Sequence, residues 1–176
     1  MRYNSREMEE KSVLVTAAKM CAAARTAPKA RGIDRIETIV LTGEEKEKLA
    51  DQMEIIYKLT GEGNAFFRRD AGNLRDSDAV VLIGTKKACT GLSYCGFCGF
   101  EHCGDCSQKG GSCAFDYVNL GIALSSAVVV AQMDFVDNRI MFSIGKAWMD
   151  LEHKDDNTVW FGIPLSVTGK SKYFDR

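Results

Sequence analysis

Six cysteines fall within residues 89–113, at positions 89, 95, 98, 103, 106 and 113, while a seventh, Cys21, stands alone. Thiolates crowded into a segment with glycines at 96, 99, 104, 110 and 111 form the donor set of a soft-metal centre. Cys95-x2-Cys98-x4-Cys103 has the local spacing that wraps three corners of a [4Fe-4S] cluster, and either Cys113 or Cys106 is placed to supply the fourth. Six cysteines cannot provide the eight thiolates of two such clusters, so one is the limit. The glycines let the backbone bend tightly and aim amides at sulfur, where hydrogen bonds tune reduction potential. Cys89 stands furthest upstream and reads as a bystander; Cys21 reads as a packing residue.

Structural zinc is the rival for the same thiolates. Cys95-x2-Cys98 and Cys103-x2-Cys106 form two knuckle-like pairs, but only four residues separate them, against about 15–20 in zinc ribbons. A disulfide framework fits less well, because seven is an odd number and nothing else points to an oxidising compartment.

These thiols must be held by a folded scaffold. Residues 5–27 carry a helical stripe of Val13, Ala17, Met20 and Ala24, ended by Pro28. Ile36–Leu41 reads as a β-branched strand, and Thr42 as the cap of a helix whose buried face holds Leu49, Met53 and Ile56. Residues 64–76 read equally as a short helix or a lid over a pocket. The continuous apolar run 79–84 has the length of a strand buried on both faces, and the cysteine segment leaves its carboxyl end, where open sheets tend to place ligands. Asp116 is the expected N-cap of a central helix reaching Met133, rich in small residues. A further helix is expected over 139–151 and a strand over 158–163. The tail, 164–176, has no helix signal and is a candidate to lie along a neighbouring subunit.

With 45% apolar and 27% charged residues, the 176-residue chain has the composition of one folded domain, residues 1–176, with 89–113 as a cysteine-rich iron-sulfur loop. A net charge of -1 gives no broad attraction to nucleic acid or to an anionic membrane. The charged start, Met1 to Lys11, lacks the apolar core of a signal peptide. The longest largely apolar stretch, 120–133, is shorter than the roughly 20 residues that cross a bilayer. A cytoplasmic protein is therefore expected.

Five motifs carry a resemblance. Arg25-Thr-Ala-Pro28-Lys29-Ala-Arg31-Gly32, Cys95-Gly-Phe-Cys98-Gly-Phe-x2-Cys103, Cys113-Ala-Phe, Val136-Asp137-Asn138-Arg139, and Gly162-Ile-Pro-Leu-Ser166-x-Thr-Gly169-Lys170-Ser-x2-Phe174-Asp175-Arg176 are similar to an uncharacterised family of small prokaryotic proteins described as containing a ferredoxin domain. The resemblance implies cluster ligands at Cys95, Cys98, Cys103 and Cys113, and no known reaction. The order of elements also resembles flavin-dependent nitroreductases, which bind FMN at a dimer interface. Arg25 to Lys29 stand where those enzymes carry an alanine-proline-serine turn, with Arg31-Gly32 in place of the following asparagine. That likeness makes Arg25, Lys29 and Arg31 candidates for holding a flavin phosphate by charge-assisted hydrogen bonds. The same cations also suit a helix C-terminus.

Other motifs carry less. Gly162 to Ser171 has six residues between its glycines where a phosphate-binding loop needs four. His102 and His153 are the only histidines. His102 adjoins a candidate ligand but reads as a surface residue, and Asp137 reads as a helix N-cap. No grouping supports hydrolysis. The expectation is an α+β fold, nitroreductase-like, with helices on a small mixed β-sheet and one [4Fe-4S] cluster in a cysteine-rich metal-binding loop. It would act as a homodimer passing electrons to a redox partner protein or a small-molecule acceptor. An FMN-dependent oxidoreductase fed by the cluster and a zinc-stabilised binding module are the alternatives.

Overall fold

The computed structural model describes residues 1–152 and 157–174. Helix α1 (Ser5–Thr26) opens on a capping box, in which the Asn4 side chain accepts from the Glu7 amide and the Glu7 carboxylate accepts from the Asn4 amide. Its buried face is the stripe Val13, Ala17, Met20 and Ala24, with Cys21 packed at the margin. Strand β1 (Ile36–Leu41) leads into α2 (Gly43–Thr60), which buries Leu49, Met53 and Ile56. Thr42 occupies the N-cap of α2, but its side chain makes no capping hydrogen bond. Glu44 and Glu45 in the first turn complement the positive helix end instead. The segment that read as helix or lid is a helix, α3 (Phe66–Arg75), burying Phe67, Ala71 and Leu74.

Then follow β2 (Ala79–Lys86), the short α4 (Cys103–Gln108), α5 (Ala114–Met133), β3 (Asp137–Asn138), α6 (Phe142–Leu151) and β4 (Thr158–Ser166). The four strands lie in the order β1-β2-β4-β3. Helices on a small sheet are as expected, but the sheet is not mixed: every pairing is antiparallel. Two helices separate β1 from β2, so the chain returns to the end it left and enters β2 running the other way.

β2 is the centre of the molecule. Its alternation places Ala79, Val81 and Ile83 against α1 and α5, and Val80 and Leu82 against α2, α3 and α6. Helices cover both faces, which is why the strand reads as one apolar run. Each buried aliphatic side chain contributes about 1.5–3 kcal/mol relative to exposure. On the second face α6 lies close on β4: an added Cβ at Gly145 would meet the Trp160 carbonyl oxygen at 1.8 Å.

Three boundaries differ from expectation. α5 starts two residues before Asp116, at Ala114, because Asp116 is turned inward and spends its carboxylate on another loop. At 20 residues α5 is long and apolar enough by length and composition to cross a membrane, yet Leu120, Ala123, Leu124, Ala127 and Ala131 pack into the core against α1 and the sheet. Asp137 caps no helix; it pairs with Ser166 in β3–β4, and α6 begins only at Phe142. The chain beyond Pro164 continues β4 to Ser166 and then packs on its own body, with Tyr173 fully buried in the second core and its carbonyl held by Arg139 at 2.5 Å. Asp175, Arg176 and His153 lie outside the described residues.

Candidate metal centre

The cysteine segment runs between two rigid elements, the end of β2 and the N-terminus of α5. Its first residues are tied down by arginines from the connection between α1 and β1. Arg35 Nη1 donates to the Ala88 carbonyl at 2.9 Å and to Asp116 Oδ1 at 3.2 Å, and its Nη2 reaches the Cys89 carbonyl at 3.5 Å. Asp116 Oδ2 accepts from the Ala88 amide at 2.8 Å. Arg31 Nη1 donates to the carbonyls of Thr90 and Gly91 at 2.8 and 3.2 Å. Asn119 on α5 accepts from the Ala30 amide at 3.0 Å, closing the same corner. Three stretches far apart in sequence are thus joined where the thiols begin.

All seven cysteines are free thiols. Cys106 and Cys113 are buried, and Cys89, Cys95, Cys98 and Cys103 are partly exposed. The last two buried thiols sit in opposite environments. Burial raises Cys106, and the neighbouring thiols of Cys89 and Cys98 raise it further, up to about 12. Burial also raises Cys113, but hydrogen bonds from the Thr90 hydroxyl and from the backbone of Thr90 and Phe115 outweigh it and hold the thiol below its ordinary value. Cys113 stands at the N-cap of α5, where the helix dipole favours a negative charge, although it makes no regular capping hydrogen bond. Its sulfur lies 3.3 Å from the Thr90 hydroxyl oxygen.

Gly96 and Gly99, with φ of 74° and 81°, turn the backbone on either side of Cys98 through a conformation that side-chain-bearing residues rarely adopt. Phe97, three-quarters exposed, stacks on Phe115 with centroids 5.7 Å apart, which fixes the loop against α5. His102 is exposed and caps α4, its Nδ1 accepting from the Asp105 amide at 3.1 Å. Among the described residues, no three His, Cys, Asp or Glu side chains converge on one point as the ligands of a single ion do. A cubane cluster sets a looser requirement, since each thiolate takes a separate iron at the corner of one cube, and the thiols brought together are those of Cys106, Cys89 and Cys98.

Of the three cations singled out for a flavin phosphate, Arg25 and Lys29 meet on the Asp34 carboxylate, at 2.5 and 3.7 Å. Lys29 also donates to the Ala24 carbonyl at 2.9 Å and to the Arg25 carbonyl at the end of α1, and Arg31 turns to the cysteine segment. The partners Arg35, Thr90, Asp116 and Asn119 carried no motif signal. They are legible only once the chain is folded.

Against known proteins, residues 109–176 match a family model described as an uncharacterized protein containing a ferredoxin domain, a match that takes in Cys113. An uncharacterized protein of Archaeoglobus fulgidus is 42% identical over 184 aligned positions, covering all of this chain and 98% of the relative. Among solved structures, a mutant of the FMN- and NADPH-dependent nitroreductase from Sphigopyxis sp. strain HMH superposes with a TM-score of 0.58 at 12% identity, over 88% of this chain and 78% of that one. Nitroreductase A of Vibrio parahaemolyticus gives a TM-score of 0.57 at 11% identity, over 89% and 59%. At such identities the likeness is one of fold, and the fold is nitroreductase-like. Chain-long identity to the archaeal relative and the matched model over α5 to β4 agree with the motifs, and the chain belongs to the family of uncharacterized proteins containing a ferredoxin domain.

Proposed function

We propose that this protein holds one [4Fe-4S] cluster on Cys95, Cys98, Cys103 and Cys113 and carries single electrons between a donor and an acceptor. The observation that carries the reading is the free-thiol segment pinned between β2 and α5, with Cys113 in surroundings that favour its thiolate. Bound there, the cluster would supply a one-electron couple whose iron changes valence with little movement of fixed ligands. The chain's own residues hold the thiols: Arg31, Arg35 and Asp116 fix the entry to the loop, and α5 fixes its exit. On this reading Cys106, which neighbours the thiols of Cys89 and Cys98, and Cys89 lie beside the ligand set without belonging to it.

The nitroreductase-like fold favours a second reading, in which FMN bound near the cations of the α1–β1 connection receives those electrons and reduces a small acceptor. Both readings accommodate a homodimer, supported by exposed apolar side chains along α5. The net charge gives no reason to expect nucleic acid or membrane as a partner, and a cytoplasmic setting suits free thiols.

Anaerobic purification tests the readings together. A brown protein with broad absorption near ~400 nm that bleaches on reduction supports the cluster. A yellow flavin released on denaturation adds FMN. Colourless protein loaded with zinc defeats both redox readings.

A further inference from the structure

We propose that the Thr90 hydroxyl sets the reduction potential of the metal centre by donating a hydrogen bond to the sulfur of Cys113, and that Arg31 holds Thr90 in place to do so; the proposal rests on the cluster reading with Cys113 as a ligand. Thr90 is 3% exposed, and a buried hydroxyl must find a partner. The partner here is Cys113 Sγ, 3.3 Å from Thr90 Oγ1. A metal-bound cysteine sulfur has no proton to give, so the hydroxyl is then the donor. Donation draws electron density from the sulfur, stabilises the more negative reduced state, and moves the potential upward.

The geometry is specific to this position. Thr90 is the second residue past Ala88, whose amide and carbonyl are held by Asp116 and Arg35. The Thr90 carbonyl accepts from Arg31 Nη1 at 2.8 Å, and the next carbonyl, that of Gly91, from the same nitrogen at 3.2 Å. Arg31 itself adopts a left-handed backbone conformation, φ 58°, unusual for a residue with a side chain. A strained residue that sends its guanidinium to two successive carbonyls fixes the backbone from which the Thr90 side chain reaches the sulfur. Arg31 is thus a positioning residue, and Thr90 touches the ligand: an iron-replete Arg31→Met protein should titrate at a more negative potential, as Thr90→Val does, and an unshifted one overturns the positioning role. No bond forms or breaks in the protein: the centre takes up one electron from an external reductant, and the hydroxyl proton remains on oxygen.

The test compares wild type, Thr90→Val and Thr90→Ser, each purified without oxygen, first by iron and acid-labile sulfide content and then by mediated titration with dithionite. Thr90→Val should retain full iron and titrate at a more negative potential, and Thr90→Ser should return the potential to that of wild type. An unchanged potential in an iron-replete Thr90→Val protein overturns the proposal, as does a Thr90→Ser protein shifted as far as the valine variant. A valine variant that folds but cannot hold iron, where the serine variant can, also overturns it, in favour of a role in assembly. If valine prevents folding, Thr90→Ala removes the hydroxyl with less bulk and answers the same question. Wild-type protein free of iron and sulfide defeats the cluster reading itself, a result distinct from all of these.

Discussion

Arg35 and Asp116 are joined across the entrance to the cysteine segment, with Nη1 3.2 Å from Oδ1 and the Asp116 side chain 1% exposed. Burial pushes the Asp116 carboxyl above its ordinary value, against the opposing pull of the Ala88 amide and Arg35. Removing one partner of such a pair leaves a buried charge uncompensated. Arg35→Met should therefore cost stability at the lower end of about 3–5 kcal/mol, because Arg35 itself is partly in water. The sign with pH follows: the raised carboxyl protonates more readily folded than unfolded, so the penalty shrinks as pH falls through its folded-state value. Urea denaturation at neutral and mildly acidic pH checks this, and an equal loss at both would refute the assignment.

The thiols separate into two groups. Cys98→Ser and Cys113→Ser should lose iron and sulfide, whereas Cys89→Ser and Cys106→Ser should keep them. Cys106 is the informative case, because two-residue spacing from Cys103 and its place beside the thiols of Cys89 and Cys98 recommend it as a ligand, while the family motif points to Cys113. Iron and sulfide assays on the four anaerobic proteins decide it; full loading of the Cys113 variant together with loss in the Cys106 variant would exchange their roles.

What could be read from the sequence was what depends on short-range pattern. The stripe of α1, the run of β2 and the cluster of cysteines repeat at the periods of helix, strand and ligand loop, so they survive without tertiary knowledge. Asp116 misled because an aspartate near a helix start ordinarily caps it, and here the fold uses the carboxylate to hold Ala88, 28 residues earlier. Thr90, Arg35 and Asn119 act through partners 23 to 89 residues away, and no local period marks them. The antiparallel sheet was hidden for a related reason, since strand direction depends on how α2 and α3 return the chain.

The close seat of α6 on β4 gives a third prediction. A methyl at Gly145 would lie 1.8 Å from the Trp160 carbonyl oxygen and 2.7 Å from the Phe161 Cα, both backbone atoms that no rotamer change can clear. Gly145→Ala should thus force α6 outward and break its contacts with Trp160 and Gly162. Overpacking of this kind costs about 1–3 kcal/mol or more. Thermal unfolding followed by circular dichroism should show a lower midpoint, whereas Gly72→Ala, where a Cβ meets nothing within 4 Å, should not.

Tyr173 anchors the tail, 1% exposed, with its hydroxyl facing Ser166 without a well-formed hydrogen bond. Burial pushes its ionisation well above the ordinary value of about 10. The unfolded chain then releases this proton first as pH rises, so stability is fully present below about 10 and declines above it. Tyr173→Phe should remove that part of the alkaline loss and change little near neutrality. Denaturation midpoints measured from neutral to strongly alkaline pH test it, and parallel curves for the two proteins would exclude the effect.

The outer face of α5 bears on assembly. Val118, Ile122, Val129 and Met133 are 36–72% exposed and fall within about 60° of one another at 100° per residue. The other exposed positions between them are Gly121, Ser125 and Gln132, so the stripe carries no charge, and its small residues offer close approach to another helix. An uncharged stripe of this kind can meet its own copy across a two-fold axis, and it continues into a groove of about 450 Å³ where Met8, Val15, Met133 and Phe135 are joined by Lys11, Lys19 and Asp134. We expect the wild-type protein to sediment as a dimer and Val129→Lys to sediment as a monomer, since an unpaired cation would be buried at the contact. Analytical ultracentrifugation across a dilution series reads both. A monomeric wild type would leave the stripe without a second copy, and a Val129→Lys dimer of unchanged strength would place the interface on another face.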